Sequence, residues 1–454
     1  MNGRSTPNFT KAMIASALRV LSRIPLPIVA SIYAAVYFLT YQFLVSMRYG
    51  YMQFNRIDDD WILLRVIAAI APAFLMSRTI EKCTDILVYF FYVFVYVPSM
   101  ILAGSVVANS ALPGSDYVEV TAFMFGSMVL LVLYTRVRYS VKAKKSSFYS
   151  PNMLIPLAWF MIGMTLTTIV IYYGFSLPII DSIYLYDSED LERRSAKVGF
   201  AYYQYFLYWT RGVFAPILLL YYLLRKDYLR SSTVIFFYLI VSSAFATKMD
   251  LVTPVLLIAF FVLLFSARRR NRPPKLLIPL LLIAVCLLMI PVLFLSIGNE
   301  DLVNHFTGLI NMRTFSVQAQ NLYKYLDFFS KNDLTYMTHI GFLSAWYPYQ
   351  YELPSLINFA YGGGNLNSHF WSTEGIAAFG MLGIILSTLI VISVFFIFDS
   401  LAKNLDLKVG VFLLSAQGIA FCNVPLSVFL LSGGFIFLGC LLWMFRVEEL
   451  FRPK

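Results

Sequence analysis

All three histidines of this chain, His305, His339 and His369, fall between Gly298 and Thr373, together with Arg313, Glu352 and several Asn, Trp and Tyr residues. Histidine can take a proton near neutral pH. Arginine presents a planar fork that grips two oxygens of a phosphate or carboxylate at once. The surroundings of the histidines differ. His369 follows a three-glycine loop in YGGGNLNSHFW and precedes an apolar run that starts at Glu374–Gly375, so it reads as either a catalytic or a substrate-contacting residue, or as a structural one. His305 and His339 have no comparable setting and read as structural or solvated. No histidine is spaced with carboxylates as metal ligands are, and HExxH, GxSxG and Walker patterns are missing, so zinc proteases, serine hydrolases and ATPases find no support. No metal and no cofactor is expected.

The elements that must carry these residues are membrane helices. The chain has 454 residues, 59% hydrophobic and 13% charged, with mean hydropathy +0.73. Soluble domains carry about 25% charged residues, and several apolar runs here reach the roughly 20 residues needed to cross a bilayer. The fold class is therefore an all-α polytopic membrane protein. About twelve spans are read, near 25–46, 61–77, 86–108, 118–134, 154–174, 200–224, 231–247, 251–267, 276–297, 375–398, 409–424 and 426–446. Residues 1–297 then hold spans one to nine with short loops, 298–374 form a large loop, and 375–454 hold spans ten to twelve. The net charge of +11 comes from short basic clusters flanking apolar runs, which argues against nucleic acid as a partner. Cys83, Cys286, Cys422 and Cys440 lie in or beside apolar runs, so no disulfide framework is implied. Met1 to Arg23 is basic but lacks a short apolar core ending in small residues, so no cleavable signal is expected.

Sidedness follows from the basic residues. With both termini cytoplasmic, 24 of the 35 lysines and arginines fall on the cytoplasmic side, including RVRYSVKAKK and RRRNRPPK. The positive-inside rule selects that orientation. It places the loop outside, at the periplasmic face of a bacterial inner membrane if the host is Gram-negative. No internal repeat relates the two halves, which disfavours transporters built from repeats.

Several charges need a reason. Arg211, in FLYWTRGVFAPILLL, sits about eleven residues into span six, roughly 16 Å deep. A charge there needs a partner or a wet cavity, so Arg211 is either half of a structural ion pair or an anion ligand. Lys248 and Asp250, in ATKMDLVTP, form the outer turn between two short spans: an interface-anchored hairpin, or a lysine presented to phosphate. Arg193 and Arg194 precede span six on the outer surface, as interface anchors or further phosphate ligands. Asp58, Asp59 and Asp60, beside Arg56 and Trp61 in the first outer loop, read first as a solvated turn and second as carboxylates placed like those of metal-using lipid-linked glycosyltransferases.

Within the loop, Phe315, Ala319, Leu322, Leu326 and Phe329 follow 4-3-4-3 spacing, which predicts an amphipathic helix over 313–330. Its apolar face would meet lipid or protein, with Gln318, Asn321 and Lys324 turned toward water. Pro348 and Pro354 exclude a long helix after it. An enzyme outside the inner membrane has no nucleotide-activated donor, so its substrates must be lipid-linked, most simply sugars on a polyprenyl pyrophosphate. Such chemistry asks for cations on the pyrophosphate, a base for the acceptor hydroxyl and a platform for sugar rings. Trp346, Tyr347, Tyr349, Tyr351, Trp371, Asn365 and Asn367, with Tyr323 on the helix, offer that platform.

Four stretches then carry a resemblance: YWTRGVFAPILLLYYLLRKD, FATKMDLVTPVLLIAFFVLLFSARRR, LINMRTFSVQAQNLYKYL and NLNSHFWSTEGIAAFGMLGII. Together they resemble the repeat-unit polymerases of O-antigen and enterobacterial common antigen, the Wzy type, over the C-terminal 60% of the chain; the first 150 residues match in spacing and hydropathy alone. The resemblance implies a GT-C-like, inverting, metal-independent glycosyltransferase. It would move a growing glycan from one undecaprenyl pyrophosphate onto the sugar of another, with a chain-length regulator as partner. It implies pyrophosphate binding by Arg211, Lys248 and Arg313, with Arg313 also at the reacting centre, and makes His369 the counterpart of the histidine of the related O-antigen ligases. An O-antigen ligase is the alternative within the same class. A flippase for lipid-linked oligosaccharides is the alternative outside it, as is a structural partner in polysaccharide export.

Overall fold

The computed structural model describes residues 24–57, 61–103, 114–137, 149–173, 203–245, 248–265, 273–362 and 369–451. Asp58–Asp60, Arg193, Arg194, Asn365 and Asn367 lie outside them, and so does the side chain of Lys248. The described chain is helical almost throughout, 81% by residue. In chain order the helices are α1 (Leu26–Arg48), α2 (Ile62–Leu75), α3 (Asp85–Leu102), α4 (Val118–Arg136), α5 (Pro151–Tyr172), α6 (Tyr205–Leu224), α7 (Tyr228–Phe245), α8 (Lys248–Phe265) and α9 (Leu277–Ser296). They continue with α10 (Glu300–Phe306), α11 (Val317–Phe329), α12 (Leu353–Tyr361), α13 (Trp371–Phe379), α14 (Leu382–Leu401), α15 (Leu407–Asn423) and α16 (Leu426–Met444).

Eight of these, α1, α3, α4, α5, α6, α9, α14 and α16, are long and apolar enough to cross a bilayer. The apolar helices α2, α7, α8 and α15 fall short of that test and coincide with the remaining segments read from hydropathy. Helices suit this medium because lipid offers no partner to a bare backbone N–H or C=O. The outer surface is correspondingly apolar, with Leu63, Phe74, Ile171, Val255 and Leu293 all exposed.

The helix α3 is the axis of the bundle, 94% buried along its span. Tyr33 of α1 donates to the Val93 carbonyl at 2.5 Å, and Phe91 packs on Phe421 of α15 and on Trp371 of α13, at 6.3 and 4.9 Å between ring centroids. Gly418 of α15 lies where a Cβ would strike the Phe90 ring, so the close approach of α15 to α3 depends on it.

The segment read as span ten differs from expectation. Instead of one helix over 375–398, the chain makes α13, turns at Gly380 with φ +64°, and starts the long helix only at Leu382. The two helices fold back on one another so closely that a Cβ at Gly375 or Gly383 would run into the other's backbone. The FGxxG-like pattern is therefore the signature of a helical hairpin: one glycine supplies the left-handed turn and the other the contact.

A second correction concerns the amphipathic helix. It exists as α11, but Gln318, Asn321 and Lys324 face protein, each at most 4% exposed. The helix stands against the end of α3, with Tyr323 donating to the Ser99 carbonyl, and packs against α12 and α13. Periodicity correctly marked two faces; both are covered. Of the two prolines, Pro354 opens α12 in its first turn, where its missing N–H is harmless.

Candidate functional site

Between α10 and α11 the backbone widens into a π-helical stretch, Thr307–Ser316, closed by backbone bonds to the fifth residue back, such as the Val317 N–H to the Met312 carbonyl, and the Ser316 hydroxyl donates to the Asn311 carbonyl at 2.7 Å. Three shorter ones among the described residues interrupt α1 at Tyr41–Val45, α3 at Tyr92–Tyr96 and α6 at Thr210–Phe214. Such insertions recur at functional sites. Two of the four hold a cation, Arg313 in the longest and Arg211 in that of α6.

At the base of the loop, Glu374 in the first turn of α13 is 2% exposed and accepts three hydrogen bonds. They come from His339 Nε2 at 2.9 Å, Ser427 Oγ at 2.6 Å and the Ser427 N–H at 3.1 Å. Burial alone would raise its pKa; these donors and the charge of His339 outweigh that and hold the carboxyl below its ordinary range. The other ring nitrogen of His339 lies 3.1 Å from Thr335 Oγ1, whose hydroxyl donates to the Ala377 carbonyl at 3.0 Å. His339 Nε2 thus donates to the Glu374 carboxylate, and Nδ1 and Thr335 Oγ1 share a hydrogen bond on its other side. The Thr335 and Tyr336 N–H groups also cap the Ala377 and Ala378 carbonyls at the end of α13. The result is a buried clamp joining residues 335–339, α13 and the start of α16.

His369 stands beside it. Its Nδ1 lies 3.3 Å from the Tyr325 hydroxyl, its ring stacks on Tyr325 at 5.6 Å, and it is 2% exposed. Burial lowers its pKa to about 4, with Glu374 pulling the other way and His339 adding to the fall. The imidazole is therefore neutral, and among the described residues no hydrogen bond is made by its Nε2.

Arg313 is half-buried near Tyr49 and Tyr51; burial lowers its pKa and those phenols oppose the change. Gln318, one turn on, donates both to the Arg313 carbonyl and to Asn423 Oδ1, each at 3.3 Å. Asn423 ends α15, and Ser427 follows just after, so the α15–α16 connection touches both the Arg313 segment and the Glu374 clamp. Lys324 is buried further along α11, and desolvation lowers its pKa to about 8.

Arg211 has the partner that its depth demands. Its Nη1 lies 2.9 Å from Asp250 Oδ2, its guanidinium sits 4.1 Å above the Tyr208 ring, and its carbonyl accepts from Tyr238. Of the residues read as a sugar platform, Tyr323 and Trp371 are 1% exposed and packed among helices, whereas Trp346 is 72% exposed. By sequence His339 reads as structural or solvated and Glu374 has no role, yet together with Ser427 they form a buried polar contact at the base of the loop. The available signal was the acid itself: a carboxylate at the mouth of an apolar run requires donors.

No protein-family model, no curated protein and no solved structure matches this chain.

Proposed function

We propose that the protein is a polymerase of lipid-linked oligosaccharide repeat units, of the Wzy type, with twelve spans in a GT-C-like arrangement. Both termini are cytoplasmic and the loop works at the periplasmic face of the inner membrane. The observation that supports this reading best is the neutral, buried His369 beside the His339–Glu374 clamp and against Tyr325 of α11, the helix that continues the Arg313 stretch.

In this reading the sugar hydroxyl of one undecaprenyl-pyrophosphate-linked acceptor attacks the anomeric carbon of the donor glycan from the face opposite its pyrophosphate. A C–O bond to the acceptor forms, the C–O bond to the donor phosphate breaks with its electron pair leaving on the pyrophosphate, and the configuration inverts. His369 takes the acceptor proton. A phosphate nearby raises its proton affinity from the low value of the empty site. Arg313 steadies the charge on the departing pyrophosphate, with Lys248, Arg193 and Arg194 as further cations and Arg211 shared with Asp250. Trp346, Asn365 and Asn367 contact the glycan, and Tyr323 and Trp371 support that surface from below. No metal takes part.

Deletion in the host followed by gel analysis of surface glycans tests the proposal. A polymerase defect leaves a single repeat unit on the lipid anchor, restored to a ladder by the intact gene and not by Arg313→Ala. Polymer stranded on undecaprenyl pyrophosphate identifies a ligase instead, and loss of both repeat and polymer from the outer face identifies a flippase. A normal ladder in the deletion strain overturns the proposal.

A further inference from the structure

We infer that Lys324 anchors a phosphate-binding subsite under the loop. The residue is 2% exposed, and its ammonium is not among the fully enclosed polar atoms, so the little surface it keeps leaves a narrow opening to the charge. Among the described residues it has no acidic partner and no hydrogen-bond partner. The nearest acid on its own helix, Asp327, is committed elsewhere, to Lys331 at 2.6 Å and to the Tyr361 hydroxyl at 2.5 Å. Lysine is almost never fully buried without a counter-charge, because the desolvated ammonium has nothing to replace its water.

The helices that meet α11 add polar atoms in the same condition. Ser99 Oγ at the end of α3, and Trp371 Nε1 and Ser372 Oγ at the start of α13, are buried without a hydrogen-bond partner. Tyr323 ties α11 to Ser99, and α13 packs directly on α11. All three atoms can donate. A cation on a helix whose neighbours bear unspent donors suits a ligand that is anionic and rich in acceptors, which is the chemistry of a phosphate or diphosphate group. An ordinary structural lysine would be accompanied by a carboxylate, as Arg211 is.

The inference deepens the polymerase reading by giving one phosphate a seat, and it relies on that reading only for the carrier lipid. Two sources share the chemistry, a polyprenyl diphosphate and free pyrophosphate, so farnesyl pyrophosphate and inorganic pyrophosphate are the probes, applied to the purified full-length protein in detergent. Farnesyl pyrophosphate is expected to raise the melting temperature of the wild type and to slow acetylation of Lys324 by at least about tenfold. An equal effect of inorganic pyrophosphate assigns the site to free diphosphate rather than to the lipid. Lys324→Met is expected to melt at or above the wild type without ligand, since an uncompensated charge is removed, and to bind the probe at least about tenfold more weakly. Lys324→Arg retains most of the binding. Unchanged acetylation of the wild type in the presence of both probes overturns the inference, as does a Lys324→Met protein that binds normally. The acetylation measurement needs no variant to fold. A deletion strain with normal glycan ladders, alongside protected Lys324, would overturn the polymerase and leave the subsite.

Discussion

Arg211 and Lys324 are both cations held among helices, and their surroundings differ in one respect. Arg211 has Asp250 at 2.9 Å and the Tyr208 ring beneath it, whereas Lys324 has no counter-charge among the described residues. A third cation, Lys82 at the far end of α3, follows the first pattern: its amine donates to the Tyr134 carbonyl and lies 3.6 Å from the centre of that ring. Buried charges that belong to the frame come with their partners, because folding alone must make them tolerable. A nearly buried charge left without one stays available to a ligand. The same contrast divides the histidines. His339 spends both nitrogens on Glu374 and Thr335, while His369 keeps Nε2 uncommitted beside them.

The contrast is easiest to break at Asp250. Asp250→Ala is expected to cost about 3–5 kcal/mol of stability, because it strands a buried guanidinium. Arg211→Gln combined with Asp250→Asn should recover most of that loss. If the double variant also restores glycan ladders, Arg211 belongs to the frame alone; if it folds without lengthening glycans, Arg211 binds substrate as well. A melting curve for Asp250→Ala that overlays the wild type would remove the ion pair from the frame.

His369→Ala is expected to slow glycan lengthening by about a hundredfold or more, the range for loss of a general base, and to lower the melting temperature through the cavity it leaves beside Tyr325. An unaltered chain-length ladder would make His369 a packing residue.

Glu374→Gln should destabilise by about 1.5–3 kcal/mol, since a carboxylate loses hydrogen bonds strengthened by its charge. Combined with His339→Ala it should cost less than the sum of the two single changes, because the residues share one contact. Strict additivity would mean that the clamp is not a unit. The folded pKa of Glu374 is depressed, so its contribution is present above the unfolded value of about 4.3 and disappears as pH falls through the folded value.

The smallest effect is the pH slope contributed by His369. Its folded pKa is about 4 against about 6.5 unfolded. Between those values the unfolded chain binds a proton that the folded one refuses, so stability declines as pH drops from about 6.5 toward 4. His369→Asn should flatten thermal melts across that window, and an unchanged slope would place His369 in contact with solvent.

Much of the framework could be read without coordinates. Hydropathy located the apolar helices, and spacing located α11. The charge at Arg211 announced that something must answer it. What could not be read was the medium each face meets. The stripe Gln318, Asn321 and Lys324 looks the same in sequence whether it faces water or a buried site, because periodicity reports only that one side differs from the other.

The sequence by itself determined an all-helical membrane protein, its apolar segments and the polar segment that interrupts them, since these follow from local composition and the backbone's need for internal hydrogen bonds in lipid. Tertiary structure alone decided which polar groups meet. Arg211 finds Asp250 across 39 residues, His339 finds Glu374 across 35, and Glu374 finds Ser427 across 53. It also left Lys324 without a counter-charge among the described residues, because Asp327 on its own helix and Glu374 on α13 are committed to other partners.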